Sequence, residues 1–244
     1  MLARKTLPEV VVKHLLERII SGEYAQHSAL PTELQITEEL GISRLTVREA
    51  IKTLTAGNVV TIRRGVGTFI NPSSEWSSFD ALMALSLAQV DKDKSAKDLV
   101  EVRRMVETGA AMLAATNRTE ADIAALEKSI ERMEEAFKAH DVEAFLEADE
   151  KFHDLILKSS KNVFISFIFE PIKNYLREGK KKTSSVPETA LHGIEWHKII
   201  LAAIKAGDAE KARMSMNTHM DQVIDDINQL NQLERSKTLK LVKA

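Results

Sequence analysis

The sequence contains no cysteine. Disulfides and thiolate-bound metals are thereby excluded, and the usage fits a reducing compartment. It also lacks any apolar run long enough to span a bilayer. The opening stretch MLARKTLPEVVVKHLLERII carries charges at Lys13, Glu17 and Arg18, where a secretory signal needs an unbroken apolar segment. The expectation is a cytoplasmic protein with no membrane partner. A large charge of one sign is missing too: 34 Lys+Arg against 36 Asp+Glu leave −2 over 244 residues. The total therefore says nothing for nucleic acid, and such a function has to rest on clustering. Hydrophobic residues are plentiful at 44%, enough for packed cores in two ordinary domains.

Glycine is scarce after the first third. Five of nine, Gly22, Gly41, Gly57, Gly65 and Gly67, precede residue 72. The front therefore reads as short elements joined by tight turns, and the remainder as long Glu/Lys/Ala-rich helices. Residues 1–72 carry nine Lys+Arg and seven Asp+Glu, a charge of +2, against −4 for the rest. NPSSEWSS, with Pro72 and four serines, reads as a joint. The expected division is 1–72, a linking segment at 73–90, a helical domain at 91–232 and a basic tail at 233–244.

In the front part, Pro8 suits a first helical turn, and Val11, Leu15 and Ile19 recur on one face. Thr32 and Gln35 have capping-box spacing, and Gly41 stops a helix whose Ile36 and Leu40 point inward. Ser43 caps a third helix with Val47, Ala50, Ile51 and Leu54 as its buried stripe. VVTI and TFI flank RRGVG as two short strands. Helix, turn, helix and hairpin make a winged helix-turn-helix. Its third helix can enter a major groove N-terminus first, leaving Arg44, Thr46 and Arg48 outward. Arginine can read guanine or clamp phosphate. The helix N-terminus at Ser43 favours phosphate, and Arg63 and Arg64 sit beside glycines at the wing. Each feature alone more often marks a solvated helix face or a plain hairpin; their order and spacing together favour DNA.

LPTE, GISRLTVREA and GVGTFI resemble the DNA-binding domain of the GntR family of bacterial transcription regulators. The resemblance places Arg44, Thr46 and Arg48 on the recognition helix and makes Gly65 and Gly67 shape the wing. Gln35 departs from the family pattern, offers no charge, and is read as a cap or a changed contact.

The rest of the chain divides into six helical stretches, so an all-α bundle is expected. Asp149 and His153 lie four apart on one helix face, His197 sits on the fifth helix and His219 on the sixth. Three imidazoles and a carboxylate suit a divalent ion such as zinc, nickel or manganese, although an Asp-His pair at this spacing also arises by chance. This region is similar to the FCD effector domain of the FadR-type branch of the family. The match runs through EADEKFHDLILKSSKN and WHKIILAAIKAGDAEKARMSMNTH. The resemblance implies a metal held by Asp149, His153, His197 and His219, with Trp196 where members commonly have Glu. It also implies that Arg103, in LVEVRRMVE, forms a salt bridge to an anionic effector. His14, His27, His140 and His192 match nothing and are read as surface residues.

The expectation is a homodimeric, metabolite-responsive repressor on a roughly palindromic operator, its effector a small carboxylate or sugar acid bound at the metal. Coupling between the two functions is expected to run through residues 71–78. A regulator sensing the metal alone is the alternative. A metal-dependent hydrolase or lyase is the more distant one: there is no placed general base, nucleophile motif or phosphate loop, and the front domain would have no catalytic use.

Overall fold

The computed structural model describes residues 6–242, apart from the side chains of residues 178, 234, 235 and 237–242. The chain is mainly α-helical and forms two compact units that divide between Asp91 and Lys92.

The first unit contains α1 (Leu7–Ile20), α2 (Glu33–Leu40), α3 (Arg44–Ala56), β1 (Val60–Arg63), β2 (Gly67–Ile70) and α4 (Phe79–Gln89). The three expected helices form where their caps stand. Thr6 and Thr32 close capping boxes, Ser43 caps α3, and Gly41 ends α2 in the left-handed conformation at φ 63°. Their apolar stripes meet in one core: Val11, Leu15, Ile19, Ile36, Val47, Ala50, Ile51 and Leu54 are all buried, and Leu40 packs at its edge. Burying each large aliphatic side chain there contributes about 1.5–3 kcal/mol. The strands pair antiparallel with Val60 opposite Ile70 and Arg63 opposite Gly67. Residues 73–90, read as a linking segment, carry a 3-10 turn at Ser73–Glu75 and the helix α4. Trp76 and Ala81 lie in the same core as α1 to α3, and Trp76 Nε1 donates to the Asn71 carbonyl at 3.1 Å.

The second unit is a bundle of six helices: α5 (Lys92–Asn117), α6 (Glu120–Lys138), α7 (Val142–Ser159), α8 (Val163–Ser184), α9 (Pro187–Ala206) and α10 (Ala209–Val242). Its core joins Ala110, Ala111, Ala114 and Ala115 of α5 to larger side chains of the other helices, among them Met133, Phe152, Ile156, Ile200, Ile204, Met216 and Met220. The alanines let α10 and α7 approach α5 closely. Helix starts follow local chemistry again: Thr119 and Asp122 form a capping box, Asp141 caps α7, and Gly207 ends α9 at φ 75°. The expected tail from residue 233 continues α10 as far as Val242; Lys243 and Ala244 lie outside the described residues.

Candidate nucleic-acid interface and metal centre

The first site is the outer face of α3 with the wing. Ser43 Oγ accepts from the Thr46 amide at 3.1 Å and lies 2.8 Å from Thr46 Oγ1, which fixes the first turn of α3. Arg44 and Arg48 are exposed, opposite the buried stripe. Arg48 donates to Glu33 from Nε at 3.3 Å and from Nη2 at 3.0 Å. Gln35 is a cap: its Oε1 accepts from the Thr32 amide at 2.8 Å and the Thr32 hydroxyl at 2.9 Å. On the wing, the Val66 amide donates to the Arg63 carbonyl at 3.0 Å. Gly65 at φ 73° and Gly67 at φ 143° take backbone angles that side chains disfavour. Arg63 lies over the Phe69 ring at 4.4 Å, and Arg64 is exposed. Two neighbours escaped the sequence reading. Leu45 is 68% exposed between Arg44 and Thr46, and nothing in its apolar chemistry announced an outward position. Glu33 holds Arg48 across two helices, a pairing that spacing along one helix does not show.

The second site is built inside the bundle. α7 supplies Asp149 and His153, α9 His197 and α10 His219. One ligand atom from each of the three histidines lies within 4.8 Å of the others. The His197 ring stacks on Phe152 at 4.3 Å and meets the His153 and His219 rings edge-on at 5.0 and 4.9 Å. Asp149 Oδ1 stands 3.6 Å from Nε2 of both His153 and His197, while its Oδ2 accepts from Lys180 Nζ at 2.7 Å. Arg103, expected at an effector, is buried: its Nε donates to Glu107 Oε1 at 3.0 Å, and its Nη2 lies 3.1 Å from His153 Nε2. Glu107 Oε2 in turn stands 2.6 Å from His153 Nδ1.

The electrostatics suit a neutral His197 and a neutral His219 among balanced ions. Burial pushes His197 down to about 3 and His219 well below its ordinary value. Burial opposes the Glu107 and Asp149 carboxylates, but Arg103 and His153 beside one, and Lys180 and His153 beside the other, hold both well below the usual range. His197 Nε2 and His219 Nδ1 are buried without a hydrogen-bond partner. Such orphans in a bundle core are costly, and a divalent ion is one group that satisfies imidazole nitrogens in this state. Glu107 beside His153 Nδ1 is the carboxylate that commonly orients a ligating histidine. The donor set therefore fits a metal.

Glu107 and Lys180 were missed in the sequence. Glu107 carried a usable signal, since it lies four residues after Arg103 on one helix. Lys180 sits in the run GKKK, which looks like a solvated face. His192, read as a surface residue, is half-buried, with Nδ1 3.2 Å from Oδ1 of the buried Asp226. α9 turns that position toward α10, where Gln222 also donates to Asp226 at 3.0 Å. His27 and His140 are exposed, and His14 is half-buried near Arg18 and Glu39.

Residues 7–70 match the bacterial regulatory proteins of the gntR family, and residues 98–222 match the FCD domain. The galactonate operon transcriptional repressor of Escherichia coli is 28% identical over 214 residues, covering 85% of this chain and 91% of that protein. The transcriptional regulator LutR of Bacillus subtilis is 30% identical over 212 residues, covering 85% and 94%. A putative L-lactate dehydrogenase operon regulatory protein of Escherichia coli is 30% identical, covering 80% and 76%. Among solved structures, Streptococcus agalactiae GntR is 28% identical with a TM-score of 0.50, covering 89% of this chain and 99% of that one. Lar, which controls the agr system of Listeria monocytogenes, has a TM-score of 0.64 at 22% identity, covering 93% and 99%, and supports the fold. Winged-helix face, helical bundle and relatives agree: the chain belongs to the GntR family of DNA-binding transcription regulators, with an FCD domain, and is not an enzyme.

Proposed function

We propose that this regulator is a repressor released from its operator by a small hydroxy or sugar acid bound beside a metal ion in the helical domain. The observation that carries the proposal is the buried cluster of His153, His197 and His219 with two orphaned imidazole nitrogens and Arg103 alongside. These histidines, with Asp149, would hold the ion, zinc before nickel or manganese. When bound, the ion supplies a Lewis-acid point for a carboxylate. The named operons of the relatives, galactonate and L-lactate dehydrogenase, favour such acids.

On DNA, Ser43, Arg44, Thr46 and Arg48 enter the major groove. Thr32 and Gln35 hold the start of α2 beside it, and Arg63, Arg64, Gly65 and Gly67 approach the sugar-phosphate chain. A homodimer presents two such units to a two-fold operator. Val163, Phe164, Phe167 and Ile168 support that state: they share one face at the start of α8 and are all exposed, a patch of the kind a partner subunit covers. Among the described residues no helix is long and apolar enough to cross a membrane, and a regulator of bacterial operons works in the cytoplasm, where its DNA is. The effector can act only by binding one state of the dimer better than another. Mobility shift with operator DNA tests this: a hydroxy or sugar acid should release the DNA when metal is present. Release by chelation alone, with no acid effective, would make the metal itself the signal.

A further inference from the structure

Four charged side chains converge on the three imidazoles, and their charges cancel. Arg103 balances Glu107 at 3.0 Å, and Lys180 balances Asp149 at 2.7 Å. The adjacent Glu150 is already matched by Arg177. The side chains of Arg103, Lys180, Glu107 and Asp149 are only 3%, 12%, 1% and 13% exposed. In so little water, unbalanced charge is expensive.

Lys180 holds one oxygen of Asp149, while the other faces His153 and His197, 3.6 Å from each Nε2. The ammonium therefore neutralises the carboxylate that a divalent ion among the imidazoles would also claim. Imidazoles ligate in their neutral form, so an added ion takes the cluster to +2. Arg103 is held by Glu107 and is almost fully buried. Lys180 is the more exposed of the two cations and sits on a flexible four-carbon stem, so it is the one able to change partner.

We infer that Lys180 is a counter-ion switch that makes a divalent ion and a carboxylate anion bind as a linked pair: Lys180 yields Asp149 to the ion and takes the anion's carboxylate instead. This rests on the reading of the histidines as metal ligands and of the acid as bound beside the ion; the residue that carries their linkage is the new element. A monocarboxylate removes one of the two excess charges and a dicarboxylate removes both, so the dianion should couple more strongly.

The test uses full-length protein stripped of metal and titrated calorimetrically with zinc alone, with galactonate and with succinate. Coupling between two sites is reciprocal, so titrating anion with and without zinc must give the same factor. The wild type should bind zinc about 5- to 150-fold more tightly with anion present, the common range of such coupling, and more so with succinate. Lys180→Met should bind zinc alone at least as tightly as the wild type, with the anion's effect clearly smaller, while Lys180→Arg should restore coupling. Thermal melts of both variants check that they fold. Zinc affinity indifferent to both anions in the wild type, or full coupling in Lys180→Met, would overturn the inference and leave the metal reading standing. Zinc that binds a His153→Ala, His219→Ala double variant undiminished would overturn both.

Discussion

Removing Arg48 separates a DNA contact from a surface ion pair. In the free protein its guanidinium holds Glu33 through two hydrogen bonds at 3.3 and 3.0 Å, with 57% of the Arg48 side chain and 35% of the Glu33 side chain exposed. An ion pair that exposed contributes little to stability, because solvent screens it. Arg48→Ala should therefore cost the fold little. If the guanidinium reads a base, operator binding should lose about 1–3 kcal/mol, or about 5- to 150-fold at 1.4 kcal/mol per tenfold. Glu33→Gln frees the guanidinium and removes a negative charge from a face that meets phosphates, so operator affinity should hold or rise. The assay is fluorescence anisotropy on operator and random duplexes at one salt concentration, with urea melts to follow stability. A loss confined to the operator marks base reading, and equal losses on both duplexes mark a phosphate contact. Unchanged operator affinity in Arg48→Ala would refute the assignment of Arg48 as a DNA contact.

Other outcomes are equally open to measurement. Metal analysis should find a stoichiometric ion in the wild type and none after His153→Ala or His219→Ala; full retention in either variant would place the ion elsewhere. Partial burial works against the Asp122 carboxylate, but hydrogen bonds from Lys161 and from the Thr119 amide and hydroxyl lower it from 3.8 to about 2. A depressed carboxylate stabilises the fold above its unfolded value and loses that contribution as pH falls from about 4 to about 2. Melting temperature should drop more steeply across that window in the wild type than in Asp122→Asn, and parallel curves would contradict the assignment. Phe167, 76% exposed, should matter to assembly if α8 meets a second copy. Phe167→Glu should then shift the sedimenting species from dimer to monomer, and an unchanged dimer would move the interface off this face.

The elements were largely legible because local signals and burial agree. Thr32 and Ser43 cap helices in the structure as their spacing predicts, and the stripe Val47–Ala50–Ile51–Leu54 is buried throughout. α4 was not legible: its apolar residues, in FDALMALSLAQ, surround the helix without forming a single stripe, and Pro72 with four serines ahead of it read as a joint. In the site, the residue pattern brought out Asp149, His153, His197 and His219, and the family resemblance added Arg103. Lys180 and the outward Leu45 stayed hidden, because a lysine run and an apolar residue at a helix start each have an ordinary local explanation. Only the tertiary arrangement sets Lys180 against Asp149.

The central claim, an operator-binding regulator released by a hydroxy or sugar acid, is tested most directly by mobility shift. The duplexes are taken from around the protein's own gene, at low salt with zinc present, against a panel of such acids. Specific binding abolished by one acid, and by that acid only when metal is present, is the expected result. Binding to a duplex selected from random sequence that no acid, with or without metal, disturbs would contradict it.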